Sequence, residues 1–126
     1  MTQAAIDLRE PAESDDEAGP AIDRAHLSRM TYGDRGLERE LLELFERQAT
    51  MLIARMRDSE AATFAALAHT LKGSAAGIGA TGVAAAAAGA EAAAPAERRA
   101  AVARLAAAVE RARPEIAALL APQAKG

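Results

Sequence analysis

The hydrophobic and polar positions of the chain divide into five segments that repeat with a helical period. Within each segment apolar residues recur at intervals of three and four, which places them on one face of a helix with 3.6 residues per turn. The breaks between segments, at 32–34, 58–59, 79–80 and 94–95, are short. Short connections make neighbouring helices antiparallel. The pattern therefore predicts an all-α fold, an up-down antiparallel helical bundle with four main helices and a short N-terminal helix.

The expected helix bounds follow from capping and breaking residues. They are about 24–30, 35–57, 60–78, 82–94 and 95–120. The N-caps that we expect are Asp23, Asp34, the Asp58-Ser59 pair and Thr81. Gly79 is placed to end the third helix in the left-handed conformation. Pro114 interrupts the last helix without shifting its apolar rhythm, so we expect a kink near Glu110 and no ending.

The apolar rhythm also predicts which side chains form the core. In the second helix these are Leu37, Leu41, Leu44 or Phe45, Leu52 and Met56; in the third, Phe64, Ala68, Leu71, Ala75 and Ile78; in the last, Val102, Leu105, Val109, Ala112, Ile116 and Leu119. The fourth helix is almost entirely alanine, with Val83 as its one large apolar side chain.

Composition supports the helical interpretation and divides the chain. Of the 126 residues 37 are alanine, the best helix former, and 29 of these lie from position 61 onward. We expect an acidic flexible tail at 1–20, a bundle at 21–121 and a short C-terminal tail at 122–126. The acidic start does not resemble a signal peptide, and no apolar run is long enough to span a membrane, so we expect a cytoplasmic protein.

Charge and cysteine usage narrow the functions that we expect. The net charge of −3 without a basic patch argues against nucleic-acid binding. The chain has no cysteine, hence no disulfide and no thiolate chemistry. It shows no acidic cluster with metal-ligand spacing, so we expect no metal site, and no glycine-rich nucleotide loop, so we expect no cofactor and no phosphorylation from ATP.

One stripe of the third helix carries the candidate chemistry. His69, Lys72, Gly73 and Ala76 follow one another at i, i+3, i+4 and i+7, and His69 is about 100° around the helix from the apolar Ala68. Histidine has a reference pKa of about 6.5, so it supplies an unprotonated nucleophile near pH 7. Lys72 can neutralise phosphoryl oxygens, and Gly73 leaves room for the close approach of another protein.

The pattern His69-x-x-Lys72-Gly73, followed by Gly79, resembles the signature of histidine-containing phosphotransfer (HPt) domains. The resemblance is strongest over 68–80 and extends weakly over about 21–120. It implies a helical bundle in a two-component phosphorelay, in which His69 becomes a phosphohistidine. The phosphoryl group would come from a receiver-domain aspartate and pass to another receiver. The protein would then be a phosphocarrier and not an enzyme, and the divalent ion for the chemistry would be supplied by the partner receiver.

The resemblance also implies a role for Glu91. Members of the family commonly carry a glutamine or glutamate on the following helix that hydrogen-bonds the imidazole and orients it. Glu91, 22 residues after His69, occupies the matching position. An isolated glutamate in an alanine-rich helix can equally serve only solubility. From sequence both interpretations stay open.

Partners and alternatives complete the expectations. The implied partners are receiver domains of response regulators, a hybrid histidine kinase, or both, and we expect a monomer. The main alternative is a non-catalytic helical adaptor that binds receiver or kinase domains without transferring phosphate. Metal binding or hydrolysis through His69 and Glu91 is a lesser alternative, because two ligands are too few for a metal site. We expect no role in the chemistry for His26, and Ser74 is expected to bond its own helix backbone.

Overall fold

The structure, a computed structural model, describes residues 19–122. Within this range the chain forms five α-helices and no strand: α1 Arg24–Met30, α2 Arg35–Arg57, α3 Ala61–Ile78, α4 Thr81–Glu91 and α5 Arg98–Leu120, with a 3₁₀ turn at Pro95–Glu97. The all-α prediction, with four main helices and a short N-terminal one, is confirmed. Most of the predicted acidic tail, residues 1–18, and the last four residues lie outside the described range.

The helix ends follow mostly from local chemistry. The side chain of Asp23 accepts a hydrogen bond from the His26 amide at the start of α1. Asp34 does the same for the Leu37 amide at the start of α2. Gly79 ends α3 in the left-handed conformation with φ of 82°, as predicted. These positions were readable from sequence because each depends on a residue type that suits one backbone conformation.

Four predicted boundaries differ from the structure. One is the start of α5, which lies at Arg98 after the 3₁₀ turn and not at residue 95. The N-cap of α4 is Ala80, so Thr81 is the first helical residue and not the cap. The N-cap of α3 is Glu60 without a side-chain bond, whereas the Ser59 hydroxyl donates to the Met56 carbonyl. α4 ends at Glu91 and not at Ala94. Proline disfavours helical geometry in the residue before it, and Ala94 is extended with ψ of 156°.

Four helices enclose the core, and α1 lies across one end. α3 packs against α2 and α4, and α5 packs against α4 and α2. Alanine faces make the α3–α4 contact close, since Ala68, Ala75 and Ala87 are fully buried. α5 continues through Pro114 without ending, as the apolar rhythm predicted. The core is therefore thin and assembled from small side chains.

The buried stripe of α2 is rotated from the one expected. Phe45 is buried, whereas Leu44 is 50% exposed and Leu37 is 36% exposed. The core-facing stripe contains Leu42, Phe45, Ala49, Leu52, Ile53 and Met56. Leu44 lies about 100° from Phe45 on the helix, so one cannot enter the core when the other does. The prediction that Leu37 is buried is wrong, and Phe45 is the buried member of the 44–45 pair.

Backbone contacts fix the start of the described chain to the bundle. The Asp23 amide donates to the Gly79 carbonyl at 2.8 Å, where α3 turns into α4. The carboxylate of Glu115 on α5 accepts from the Ala21 and Ile22 amides at 2.6 and 2.9 Å. These bonds hold the residues before α1 against the ends of α3 and α5.

We expect Gly79→Ala to destabilise the bundle strongly. A Cβ at this position would come within 2.8 Å of the Asp23 carbonyl oxygen, and the φ of 82° is unfavourable for alanine. The strain and the forced movement of α1 should together lower the free energy of unfolding by about 1–3 kcal/mol. Urea denaturation followed by circular dichroism measures this change.

Gly89→Ala is the matched control. Its Cβ would meet nothing within 4 Å, and Gly89 lies inside α4. The higher helix propensity of alanine should raise the free energy of unfolding, by up to about 1 kcal/mol. Equal effects of the two substitutions would contradict the special role assigned to the Gly79 turn.

Candidate functional site

His69 projects from a helix that is anchored on both sides of it. Its neighbours Ala68 and Leu71 are fully buried against the other helices. The His69 side chain itself is 67% exposed. The structure therefore places the imidazole at the surface, on a backbone that the core holds fixed.

A single carboxylate connects the three polar side chains of the site. Glu91 Oε2 lies 2.9 Å from His69 Nδ1, and Glu91 Oε1 lies 2.9 Å from Lys72 Nζ. Glu91 is the last residue of α4, which runs antiparallel to α3 and returns to the level of His69. Of the two sequence interpretations of Glu91, the geometry shows the hydrogen bond to the imidazole.

The hydrogen bond between His69 and Glu91 defines which nitrogen of His69 carries the proton. An ionised carboxylate can only accept, so Nδ1 is the protonated nitrogen and donates. In the neutral ring Nε2 then keeps its lone pair. No residue in the described range hydrogen-bonds Nε2. The arrangement presents Nε2 as a nucleophile open to another molecule.

The electrostatics of the site keep Glu91 ionised. The hydrogen bond from the Lys72 ammonium holds the pKa of the Glu91 carboxyl below its ordinary value, and the bond from His69 acts in the same direction. Loss of hydration opposes both effects but does not outweigh them. The acceptor for the His69 Nδ1 proton is therefore charged at neutral pH.

The ammonium of Lys72 is paired with Glu91 in the structure, which contains no phosphoryl group. Sequence reasoning placed this ammonium beside a phosphoryl group. The side chain is 38% exposed and begins one turn from His69. Its flexible stem leaves both positions within reach.

Gly73 lies open on the surface beside His69. A Cβ there, or at Gly77, would meet nothing within 4 Å. Packing inside this chain therefore does not require glycine at either position. The space that Gly73 leaves is outside the bundle, next to the imidazole.

An apolar stripe on α2, not predicted from sequence, lies near the same surface. Leu37, Leu44 and Met51 are 36%, 50% and 49% exposed and follow one another at intervals of seven. Glu46 and Thr50, on another side of α2, contact Arg113 of α5 at 3.6 and 3.4 Å. The stripe is thus turned away from α5, on the α3 side.

The antiparallel packing of α2 and α3 determines where this stripe lies along the helix axis relative to His69. Counting back from the turn at 58–60 places residue 49 of α2 level with His69. Leu44 and Met51 lie on either side of that level. The sevenfold spacing was visible in the sequence, but only the packing of Phe45 shows that the stripe remains exposed.

His26 belongs to the fold and not to the site. Its Nε2 lies 3.2 Å from the Gly77 carbonyl oxygen at the end of α3.

No group of three or more histidine, cysteine or acidic side chains that could hold a metal ion occurs in the described range. Within the same residues, no helix is long and apolar enough to cross a membrane.

Replacing Lys72 with methionine should raise the pKa of Glu91. The ammonium is the first cause of the lowered pKa, so its removal moves the value toward that of an ordinary glutamate. Because the folded-state pKa is depressed, the pairing stabilises the protein above the unfolded-state pKa and is lost as the pH falls through the folded-state value. NMR titration of the side-chain carboxyl carbon follows this change.

Arg99→Met is the control for that titration, since Arg99 is an exposed cation on α5 outside the site. It should leave the pKa of Glu91 unchanged. A Glu91 titration that is the same in the Lys72 variant and in the unmodified protein would show that the pair does not form in solution.

Comparison with known protein families gives a match that covers most of the bundle. A family model described as "Hpt domain" matches residues 40–121, about two thirds of the chain. The match spans most of α2 and all of α3, α4 and α5, and so includes the site. Comparisons with curated proteins and with solved structures find no match. HPt domains interact with receiver domains and kinases in two-component systems. The chain belongs to the HPt family, whose members carry phosphoryl groups on histidine in phosphorelays.

Proposed function

We propose that His69 is the phosphoryl acceptor and that it exchanges phosphate with receiver-domain aspartates. The observation that carries the proposal is that the two nitrogens of the imidazole have different environments. Glu91 holds Nδ1 at 2.9 Å, while Nε2 is without a partner in the described range and the side chain is 67% exposed. A nucleophile that is oriented on one side and open on the other suits attack on a group held by another protein.

In the transfer step, one bond to phosphorus forms and another breaks. The Nε2 lone pair forms a bond to phosphorus, and the bond from phosphorus to the aspartate oxygen breaks. The aspartate keeps the electron pair as a carboxylate. The ring then carries hydrogen on Nδ1 and phosphoryl on Nε2 and is cationic, and the ionised Glu91 carboxylate compensates this charge. The reverse step passes the group to a second receiver.

Lys72 would compensate the negative charge of the phosphoryl oxygens. Its ammonium lies on Glu91 before the transfer, one turn from His69. Phosphoryl oxygens at Nε2 bring new negative charge to the same turn of α3. The flexible ammonium can move toward these oxygens as a mobile point charge, while Glu91 keeps its bond to the imidazole.

The surface around His69 suits a protein partner. Gly73 leaves open space beside the imidazole, and Leu44 and Met51 supply exposed apolar area at the same height. Apolar area on a broad, open surface is typical of protein–protein contacts and not of sites for small metabolites. We propose that a receiver domain docks on this α2–α3 surface, brings the divalent ion for the reaction and needs no cofactor of this chain.

Transfer from phosphorylated receivers tests the site. Receivers charged with acetyl phosphate are mixed with the unmodified protein and with His69→Gln, and phosphorylated species are resolved by mass. The unmodified protein should carry phosphoryl on the peptide that contains His69, and His69→Gln should carry none. Labelling of His69→Gln would show that the acceptor is another residue, whereas receiver binding without any transfer would favour the adaptor function.

Glu91→Ala tests the positioning role in the same assay. Loss of the hydrogen bond that orients the imidazole should slow transfer on the order of tenfold or more. The ¹⁵N spectrum of neutral His69 should also shift from the Nδ1–H tautomer toward a mixture. A slower transfer with an unchanged tautomer would mean that Glu91 acts in another way.

Leu44→Asp tests the docking surface. It places a charge in the apolar stripe and should weaken transfer from a receiver at least about fivefold, since hot-spot contacts are commonly worth more than 1 kcal/mol. Phosphorylation of His69 by a small donor such as phosphoramidate should be unaffected. Ala100→Asp, at an exposed position of α5, is the control and should alter neither reaction. Equal receiver kinetics for the two variants would place the docking surface elsewhere.

A further inference from the structure

A groove between α4 and α5 lies on a side of the bundle that the proposed transfer does not use. Its volume is about 780 Å³. The α4 wall is made of small residues, among them Gly82 and Gly89, and the α5 wall carries Arg104 and Arg111. Small residues on one wall and two cations on the other fit an acidic segment of polypeptide chain.

The groove lies on the opposite side of α4 from the His69 site. Gly82 and Gly89 precede Glu91 by nine and two residues, which corresponds to about 180° and 200° around the helix. A segment bound in the groove therefore leaves His69 and Glu91 uncovered.

The described chain begins at one end of this groove. Gly19, Pro20 and Ala21 are among the residues that line it. Glu115, which also lines it, accepts hydrogen bonds from the Ala21 and Ile22 amides and fixes the direction in which the chain arrives. Gly19, the first described residue, therefore lies at the groove, and the chain before it is joined to the bundle at that point.

The charges of the two parts are complementary. Residues 1–20 carry six acidic side chains and one basic one, whereas the rest of the chain carries 14 basic and 12 acidic ones. The segment next to the tether reads Glu-Ser-Asp-Asp-Glu-Ala at 13–18. Arg104 and Arg111, two turns apart on one side of α5, both line the groove.

The length of the acidic segment also agrees with the length of the groove. The 11 residues from Arg104 to Glu115 of α5 span about 16 Å at 1.5 Å per residue. An extended chain covers about 3.3 Å per residue, so about five residues cover this distance. A segment that starts at Gly19 and lies along the groove thus brings the acidic side chains of 13–17 past both arginines.

We propose that residues 13–18 bind in the α4–α5 groove, with their carboxylates on Arg104 and Arg111. The occupant of the groove is this chain's own acidic segment. This contact holds the negative charges of the N-terminal region on the side of the bundle away from His69, where they do not repel a phosphorylated partner. The contact does not depend on the proposed transfer function, and the test below involves no phosphate.

A spin label at a single cysteine tests the contact in the full-length protein. The chain has no cysteine, so Ser14→Cys gives one labelling site without removing a charge. The label should broaden the amide NMR signals of Gly89 and Ala107 and leave those around His69 sharp. Broadening around His69, or none anywhere on the bundle, would overturn the proposal.

Charge reversal supplies the matched comparison. Arg104→Glu with Arg111→Glu should abolish the broadening, whereas Arg98→Glu with Arg99→Glu, on the same helix but outside the groove, should preserve it. Broadening that survives the first pair would overturn the proposal.

Neutralising the four acidic residues of 13–17 to amides gives a second variant that leaves the bundle sequence intact, and it should also abolish the broadening. Raised salt should weaken the effect in the unmodified protein.

Discussion

The tight reversal at Gly79 is the constraint on which the rest of the structure depends. It requires a left-handed residue with no Cβ, because the backbone of Asp23 lies where a Cβ would be. The reversal makes α3 and α4 antiparallel neighbours. His69 lies ten residues before it and Glu91 twelve residues after it, so the two side chains meet at the same height. The geometry of the site is thus a consequence of one turn.

Alanine allows this reversal to produce a rigid site. The facing surfaces of α3 and α4 are built from Ala68, Ala75, Ala87 and other small residues, which let the helices approach closely. A closely packed pair holds the 2.9 Å distance between His69 and Glu91 better than a pair separated by long flexible side chains. The alanine-rich composition of α4 therefore contributes to the geometry of the site through packing density.

Charge is distributed unevenly around the bundle. At the His69 site, Glu91 and Lys72 form an ion pair beside the exposed apolar stripe on α2. The groove on the opposite side of α4 is lined by Arg104, Arg111 and Glu115 of α5. The groove thus carries unequal charge, with two arginines and one glutamate, whereas the carboxylate and the ammonium of the His69 site are paired with each other.

The sequence by itself determined the helix count, most helix ends and the identity of the candidate nucleophile, because these depend on local residue types and a repeating pattern. Asp34 caps its own helix, and the left-handed conformation that ends α3 is a local property of Gly79. Only the tertiary structure decided which of Leu44 and Phe45 enters the core, because that depends on how α2 is rotated against α3 and α5. It also decided that Lys72 pairs with Glu91. The two residues are 19 positions apart in the chain, and their contact exists only because two helices pack side by side.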